Sequence, residues 1–114
     1  MVSDMQVKIL PEAEEFLESL PDILFRDGYK ITLEYAENYV DEILNFISNL
    51  PNAQHYTLLP EFSYHFLRYG ENLHYAFFKR KSSKTTWYVI FERKDNLILV
   101  KHITNNWLEG HYIR

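Results

Sequence analysis

The sequence predicts an α+β fold: a small, mostly antiparallel sheet in the order β-α-α-β-β-β, with two helices packed on one face. Two observations predict it. Apolar residues recur every three or four positions between Tyr29 and Leu50, which is the period of a helix buried along one side. After Leu73 they alternate with polar residues or run in short stretches between turn signals, as in strands. The 114 residues predict a single domain, 1–114, with one packed core.

The first half of the chain predicts one short strand and two helices. Residues 5–10 alternate apolar and polar side chains, as a strand does. Pro11 opens the first helix, where its missing N–H does no harm, and Pro21 is expected to end it. The second helix is predicted over residues 29–49 on an apolar seam, which consists of Tyr29, Leu33, Ala36, Val40, Ile43, Ile47 and Leu50.

The second half predicts three strands joined by short turns, at residues 73–80, 85–93 and 97–104. Residues 87–91 are apolar on both faces, which favours a central place in the sheet. Residues 53–72 leave two structures open. They are a short edge strand, on the alternation of Phe62, Tyr64 and Phe66, and an irregular aromatic loop.

Two-residue turns at Ser82-Ser83 and Asp95-Asn96 would fix the pairing of these strands. The resulting register puts Trp87, Val89, Phe91 and His102 on the face that meets the helices. The other face is expected to be open, with aromatic rings in its middle and cations near its ends. It carries Leu73, Tyr75, Phe77, Lys79, Tyr88, Ile90, Glu92, Leu99, Lys101 and Ile103.

Charge is divided along the chain. Residues 1–50 carry a net charge of −8 and residues 51–114 a net charge of +4. Because the first half is helical and the second half forms strands, this predicts an acidic helical side and a basic sheet edge. Such an edge can hold an anion, for example a nucleic-acid phosphate. The total of −4 argues against non-specific nucleic-acid binding, so any such binding has to be local.

The composition excludes several kinds of site. The chain has no cysteine, so it has no disulfide, thiolate nucleophile or cysteine-ligated zinc. Its histidines lack metal-ligand spacing and it has no glycine-rich phosphate loop, so neither a metal nor a cofactor is predicted. With no apolar run near 18 residues and no leader-like N-terminal segment, a cytoplasmic protein without membrane contact is expected.

Several of these features occur together over about residues 5–106. A short first strand leads into Pro11-Glu12-Ala13, the first helix is acidic, the long second helix ends at Leu50-Pro51, and the segments 87–91 and 98–103 pair. Together they resemble the RelE/ParE superfamily of toxins from bacterial type II toxin–antitoxin modules. The resemblance implies a toxin that cleaves mRNA on the ribosome or acts on DNA gyrase. It also implies a cognate antitoxin that forms a hetero-oligomer with it.

Metal-free RNA cleavage needs groups that transfer protons and cations that hold the phosphate. The candidate catalytic residues are Tyr88, Lys101 and His102. The candidate phosphate-binding residues are Arg68, Lys79, Arg80, Lys81 and Lys84. Each also has a plain structural interpretation: an ion pair with Glu92 for Lys101, a core position for His102, and a solvated hairpin for the cations of residues 79–84.

A second function stays open, that of a non-catalytic interaction domain of the same fold that binds an antitoxin-like partner. Three departures from the family favour it. The chain reads Trp87-Tyr88 where the family strand often has tyrosine-arginine. It reads Thr104-Asn105-Asn106-Trp107 where ribosome-dependent members commonly carry a histidine or tyrosine. It is also acidic, whereas such toxins are usually basic.

Overall fold

The computed structural model describes residues 5–26, 33–79, 85–108 and 113. The strands are β1 (Gln6–Ile9), β2 (Tyr56–Thr57), β3 (His74–Lys79), β4 (Thr86–Lys94) and β5 (Leu97–Asn105). The helices are α1 (Pro11–Arg26), α2 (Leu33–Ser48) and α3 (Pro60–Ser63), with 3-10 turns at Leu50–Asn52 and Tyr64–Tyr69. The α+β class is therefore confirmed. In this described part of the chain no helix is long and apolar enough to cross a membrane.

The five strands form one mixed sheet in the spatial order β1-β5-β4-β3-β2. β1 runs parallel to β5, and the pairs β5–β4, β4–β3 and β3–β2 are antiparallel. The two residues of β2 pair only with His74 and Tyr75. The register predicted for β3 and β4 is confirmed, since Phe77 lies opposite Tyr88 and Lys79 opposite Thr86.

The two long helices pack on one face of the sheet, which we call the helix face. The predicted seam of α2 is buried from Ala36 to Leu50, and it meets Trp87, Val89 and Phe91 of the central strand. Trp87 Nε1 donates a hydrogen bond of 2.8 Å to the hydroxyl of Tyr39, so this buried indole N–H is satisfied. The carboxylates of both helices point to solvent, which confirms the acidic helical side. They include Glu12, Glu14, Glu15, Glu18, Glu34, Glu37, Asp41 and Glu42.

The first helix does not end at Pro21, and the expectation that it would is wrong. Pro21 lies inside α1, which continues to Arg26. Proline lacks the N–H that would bond to the carbonyl of Leu17, so Pro21 lowers the stability of the helix by one hydrogen bond. Leu17 and Leu20, both buried against the helix-face core, hold the helix in place on either side of this lost bond.

A β-bulge in β5 changes which side chains share a face. The two-residue turn at Asp95-Asn96 is confirmed, and Phe91 pairs with Val100 as predicted. The register then shifts, so that Ile90 pairs with His102 and Val89 with Ile103. The prediction that His102 faces the helices and Ile103 the opposite side is therefore wrong. One extra residue in β5 exchanges the two.

The middle of the second face of the sheet is buried, at Tyr75, Tyr88 and Ile90, so the prediction of an open face is wrong. Residues 58–73, which we call the covering segment, pass through α3 and the 3-10 turn over this face. Phe66 is fully buried there and Tyr64 is 80% exposed, so these residues form a helical turn and not an edge strand. The segment packs on this face because the face is apolar, and the contact removes apolar surface from water. The resulting second core contains Leu58, Phe66, Tyr69, Leu73, Tyr75, Tyr88, Ile90 and Ile113.

Candidate functional site

The predicted site residues fall into three groups. Arg68, Lys101 and His102 come together where the covering segment crosses β5. Tyr88 and Lys79 lie on the same face, nearer the end of the sheet where β4 begins. The third group is Arg80, Lys81 and Lys84, which lie outside the described residues.

The bulge in β5 positions Lys101 and His102. Two residues of β5 share the space opposite Ile90, so both side chains turn toward the second face. There Lys101 meets Glu92 of β4, and the imidazole of His102 meets the covering segment. Bulges often redirect side chains beside functional sites. We call Arg68, Tyr69, Glu92, Lys101 and His102 the bulge cluster.

Three side chains of the bulge cluster form a stack. The Tyr69 and His102 rings are nearly parallel, with centroids 4.6 Å apart and planes 18° apart. The Arg68 guanidinium carbon lies 4.6 Å from the Tyr69 ring centroid, and Arg68 Nη2 donates a hydrogen bond to the Tyr69 hydroxyl. Tyr69 is buried, so its ring holds both the imidazole of His102 and the guanidinium of Arg68 in place.

Each cation of the bulge cluster has a carboxylate beside it. Lys101 Nζ is 3.4 Å from Glu92 Oε1, with both side chains partly buried. Arg68 Nη2 is 3.9 Å from Glu12 Oε1, and both of these side chains are mostly exposed. Exposed pairs of the second kind contribute only about 0–1 kcal/mol. An incoming anion can therefore displace Glu12 from Arg68 at little cost in free energy. To bind Lys101, the anion has to displace Glu92 from a partly buried ion pair.

Gly70 ends the 3-10 turn and directs the chain past Lys101. Its φ of 122° lies in a region that favours glycine. A Cβ at this position would lie 4.0 Å from Lys101 Nζ, so the backbone conformation requires glycine here and crowding does not. Tyr69, which precedes Gly70, is not among the site residues predicted from the sequence. The available signal was the turn-forming Gly70 placed directly after Arg68-Tyr69.

Tyr88 does not have the exposed position that a catalytic role on an open face predicted. It is 2% exposed and packs in the second core, with its ring 6.0 Å from those of Tyr75 and Phe77. That expectation is wrong because the covering segment and Ile113 complete the second core on this face. Lys79, at the end of β3, is exposed and accessible to an anion.

Two further histidines lie beside Phe91 on the helix face. His55 Nε2 is 2.7 Å from the Leu50 carbonyl oxygen, which can only accept, so Nε2 carries the proton. The other nitrogen of a neutral His55 then accepts from Arg93 Nη1 at 3.3 Å. His74 stacks on Phe91, and its Nδ1 is buried without a hydrogen-bond partner. Burial, followed by the charge of Arg93 and by His55, lowers the pKa of His74.

The lowered pKa of His74 predicts a loss of stability in mild acid. In the unfolded chain the imidazole of His74 has its ordinary pKa of 6.5, whereas in the native structure its pKa is lower. The contribution of His74 to the free energy of unfolding is therefore complete above pH 6.5. It is lost as the pH falls from 6.5 through the lower native pKa. Urea unfolding between pH 7.5 and 5 is expected to show a shallower pH dependence for His74→Gln than for the unsubstituted chain. The exposed His65→Gln is the control, and equal slopes for His74→Gln and the unsubstituted chain would contradict the assignment.

The bulge cluster presents an imidazole, two cations and a carboxylate on one surface. These are groups that phosphodiester cleavage uses. Comparisons with protein-family models, curated proteins and solved structures found no match. Among the residues with described positions, no three or more histidine, aspartate or glutamate side chains form a group that could hold a metal ion. The function is therefore inferred from the chemistry of this cluster.

Proposed function

We propose that this chain is the toxin of a bacterial type II toxin–antitoxin module of the RelE/ParE kind, and that it cleaves mRNA on the ribosome. The strongest support is the convergence of Arg68, Lys101 and His102 in the bulge cluster, because cations and an imidazole on one surface suit a phosphodiester. The order of one strand, two long helices and then the remaining strands also agrees with what the resemblance implies.

In the proposed reaction the 2′-hydroxyl of a ribonucleotide attacks the adjacent phosphorus atom. The 2′-O–P bond forms as the P–O5′ bond breaks, which leaves a 2′,3′-cyclic phosphate and a 5′-hydroxyl. Glu92 accepts the proton of the 2′-hydroxyl, and His102 donates a proton to the leaving 5′ oxygen. Lys101 and Arg68 stabilise the negative charge that develops on the non-bridging oxygens.

The proposed partner is an antitoxin that covers the helices and the rim of the sheet. The exposed carboxylates of α1 and α2 suit a basic partner segment, since opposite charges speed association and favour the correct partner. Tyr35 and Leu44 of α2 are 45% and 40% exposed and supply apolar contact area on that helix. A small adjacent gene that encodes a DNA-binding segment and an amphipathic tail would identify this partner.

Growth of a bacterial host tests the proposal. Expression of the chain without a partner is expected to arrest growth, and Lys101→Met is expected to relieve the arrest by removing a phosphate-binding cation. Lys94→Met is the matched control, because Lys94 is an exposed cation at the turn between β4 and β5. Normal growth at a high level of folded protein would contradict the toxin function. Equal arrest by the two variants would contradict the role of the bulge cluster.

The non-catalytic interaction domain is the second candidate. Two observations favour it: both cations of the bulge cluster already have carboxylate neighbours, and Tyr88 is buried. Incubating the purified protein with translating ribosomes separates the two candidates. Cuts in the mRNA that disappear in Lys101→Met would exclude the interaction domain. Intact mRNA together with a tight complex with an antitoxin would support it.

A further inference from the structure

Four aromatic rings lie together at the other end of the second face. Tyr56 comes from β2, Tyr75 and Phe77 from β3, and Tyr88 from β4. Tyr56 stacks on Tyr75 with centroids 5.3 Å apart and lies 5.4 Å from Phe77. Phe77 is also 6.4 Å from Tyr75 and 6.0 Å from Tyr88. We call these four rings and Lys79 the aromatic patch.

The aromatic patch is buried on one side and accessible on the other. Tyr75 and Tyr88 belong to the second core, whereas Phe77 is 44% exposed. The exposed ring therefore rests on a fixed base of three neighbouring rings. A flat apolar group could stack on it without ordering a mobile side chain, which lowers the entropic cost of binding.

The charges around the aromatic patch suit an anion. Lys79 is exposed, lies two residues from Phe77 and so projects from the same face of β3. An aromatic face beside a cation is the combination that binds a base and its phosphate in single-stranded nucleic acid.

The aromatic patch and the bulge cluster are close enough for one strand of RNA. Phe77, Tyr88 and Thr104 lie in register across three strands, and His102 is two residues along β5 from Thr104. With about 4.8 Å between strands and 3.4 Å per residue, Phe77 and His102 are about 12 Å apart between Cα atoms.

We infer that the aromatic patch stacks a nucleobase of single-stranded RNA on Phe77, with Lys79 holding the neighbouring phosphate. The inference rests on the proposed action on RNA, to which it adds a binding subsite outside the bulge cluster. Stacking on an aromatic ring accepts any base, so the subsite provides affinity without reading sequence. The position of the patch determines which nucleotide of the bound strand enters the bulge cluster.

Fluorescence titration of a short RNA carrying 2-aminopurine tests the inference, because stacking quenches this base. At low salt, Phe77→Leu is expected to weaken binding roughly 10-fold and to abolish the quenching, since leucine keeps apolar volume but lacks a ring. Phe77→Tyr is expected to keep both. Tyr35→Leu, which removes a half-exposed ring from α2, is the matched control and is expected to bind as the unsubstituted chain does.

The phosphate contact has its own measurement. Lys79→Met is expected to lower the slope of log K against log salt by about 0.7, the value for one lost contact to a single strand. An RNA that is abasic at the stacked position is expected to bind the unsubstituted chain as weakly as normal RNA binds Phe77→Leu. Unchanged binding and quenching in Phe77→Leu would overturn the inference. So would a Phe77→Leu variant that loses only the binding of a protein partner.

These measurements separate the two proposals, because the titration uses neither ribosomes nor cleavage. Quenching that depends on Phe77 in a chain that leaves mRNA intact would support the subsite and contradict the toxin function. Cleavage that is lost in Lys101→Met, together with RNA binding and quenching that are unchanged in Phe77→Leu, would support the toxin function and contradict the subsite.

Discussion

Replacing His102 with glutamine is expected to lower the rate of mRNA cleavage on ribosomes by about 100-fold to 10,000-fold. This is the usual contribution of a positioned proton-transfer group, which glutamine cannot supply. Glutamine keeps a planar side chain able to lie against Tyr69, so the covering segment should stay in place. Single-turnover cleavage of a programmed ribosome, with the enzyme in excess, measures the chemical step directly.

The exposed His65→Gln provides the control for this prediction. His65 lies on the same 3-10 turn as Arg68 and Tyr69, so it tests whether any histidine near the cluster affects the rate. His65→Gln should cleave within about twofold of the unsubstituted chain if proton transfer belongs to His102. A His102→Gln variant that is folded and as fast as the unsubstituted chain would remove His102 from the mechanism.

Truncation of Phe66 to alanine is expected to lower the free energy of unfolding by about 3–5 kcal/mol, the typical loss for a buried phenylalanine. Phe66 is fully buried at the centre of the second core, and its ring lies 6.0 Å from that of His102. The variant should therefore be both less stable and less active, because the same segment that it destabilises also carries Arg68 and Tyr69.

Leu67→Ala is the matched control for the stability measurement. Leu67 is the next residue and is 50% exposed, so its truncation should cost no more than about 0.5 kcal/mol in urea unfolding. Similar losses for the two variants would contradict the second core, since they would mean that the covering segment does not pack through Phe66.

The regular parts of the fold could be predicted because their signals are local. The apolar spacing of α2 identified its buried seam through Ala36, Ile43 and Leu50. The turn at Asp95-Asn96 set the register up to Phe91 and Val100. The pairing of Phe77 with Tyr88 agrees with the register that was predicted from a two-residue turn at Ser82-Ser83. In each case the residues that carry the signal are neighbours in the sequence or across one turn.

The bulge and the covering segment could not be predicted because they depend on tertiary packing. A single extra residue near Lys101 leaves no compositional trace, yet it moves His102 from one face of the sheet to the other. In the covering segment, aromatic residues at alternate positions, such as Tyr64 and Phe66, are typical of a strand. These residues instead form a helical turn, in which Phe66 packs on the apolar second face and Tyr64 points to solvent. The stack of Tyr69 on His102 joins two elements far apart in the sequence.

The most direct test of the proposed function compares two targets of the purified protein in parallel: mRNA on translating ribosomes, with 5′ ends mapped, and DNA supercoiling by gyrase. New mRNA ends in phase with codons are expected, which are lost in Lys101→Met and kept in Lys94→Met, while supercoiling continues unchanged. Intact mRNA together with inhibited supercoiling would contradict the proposed function.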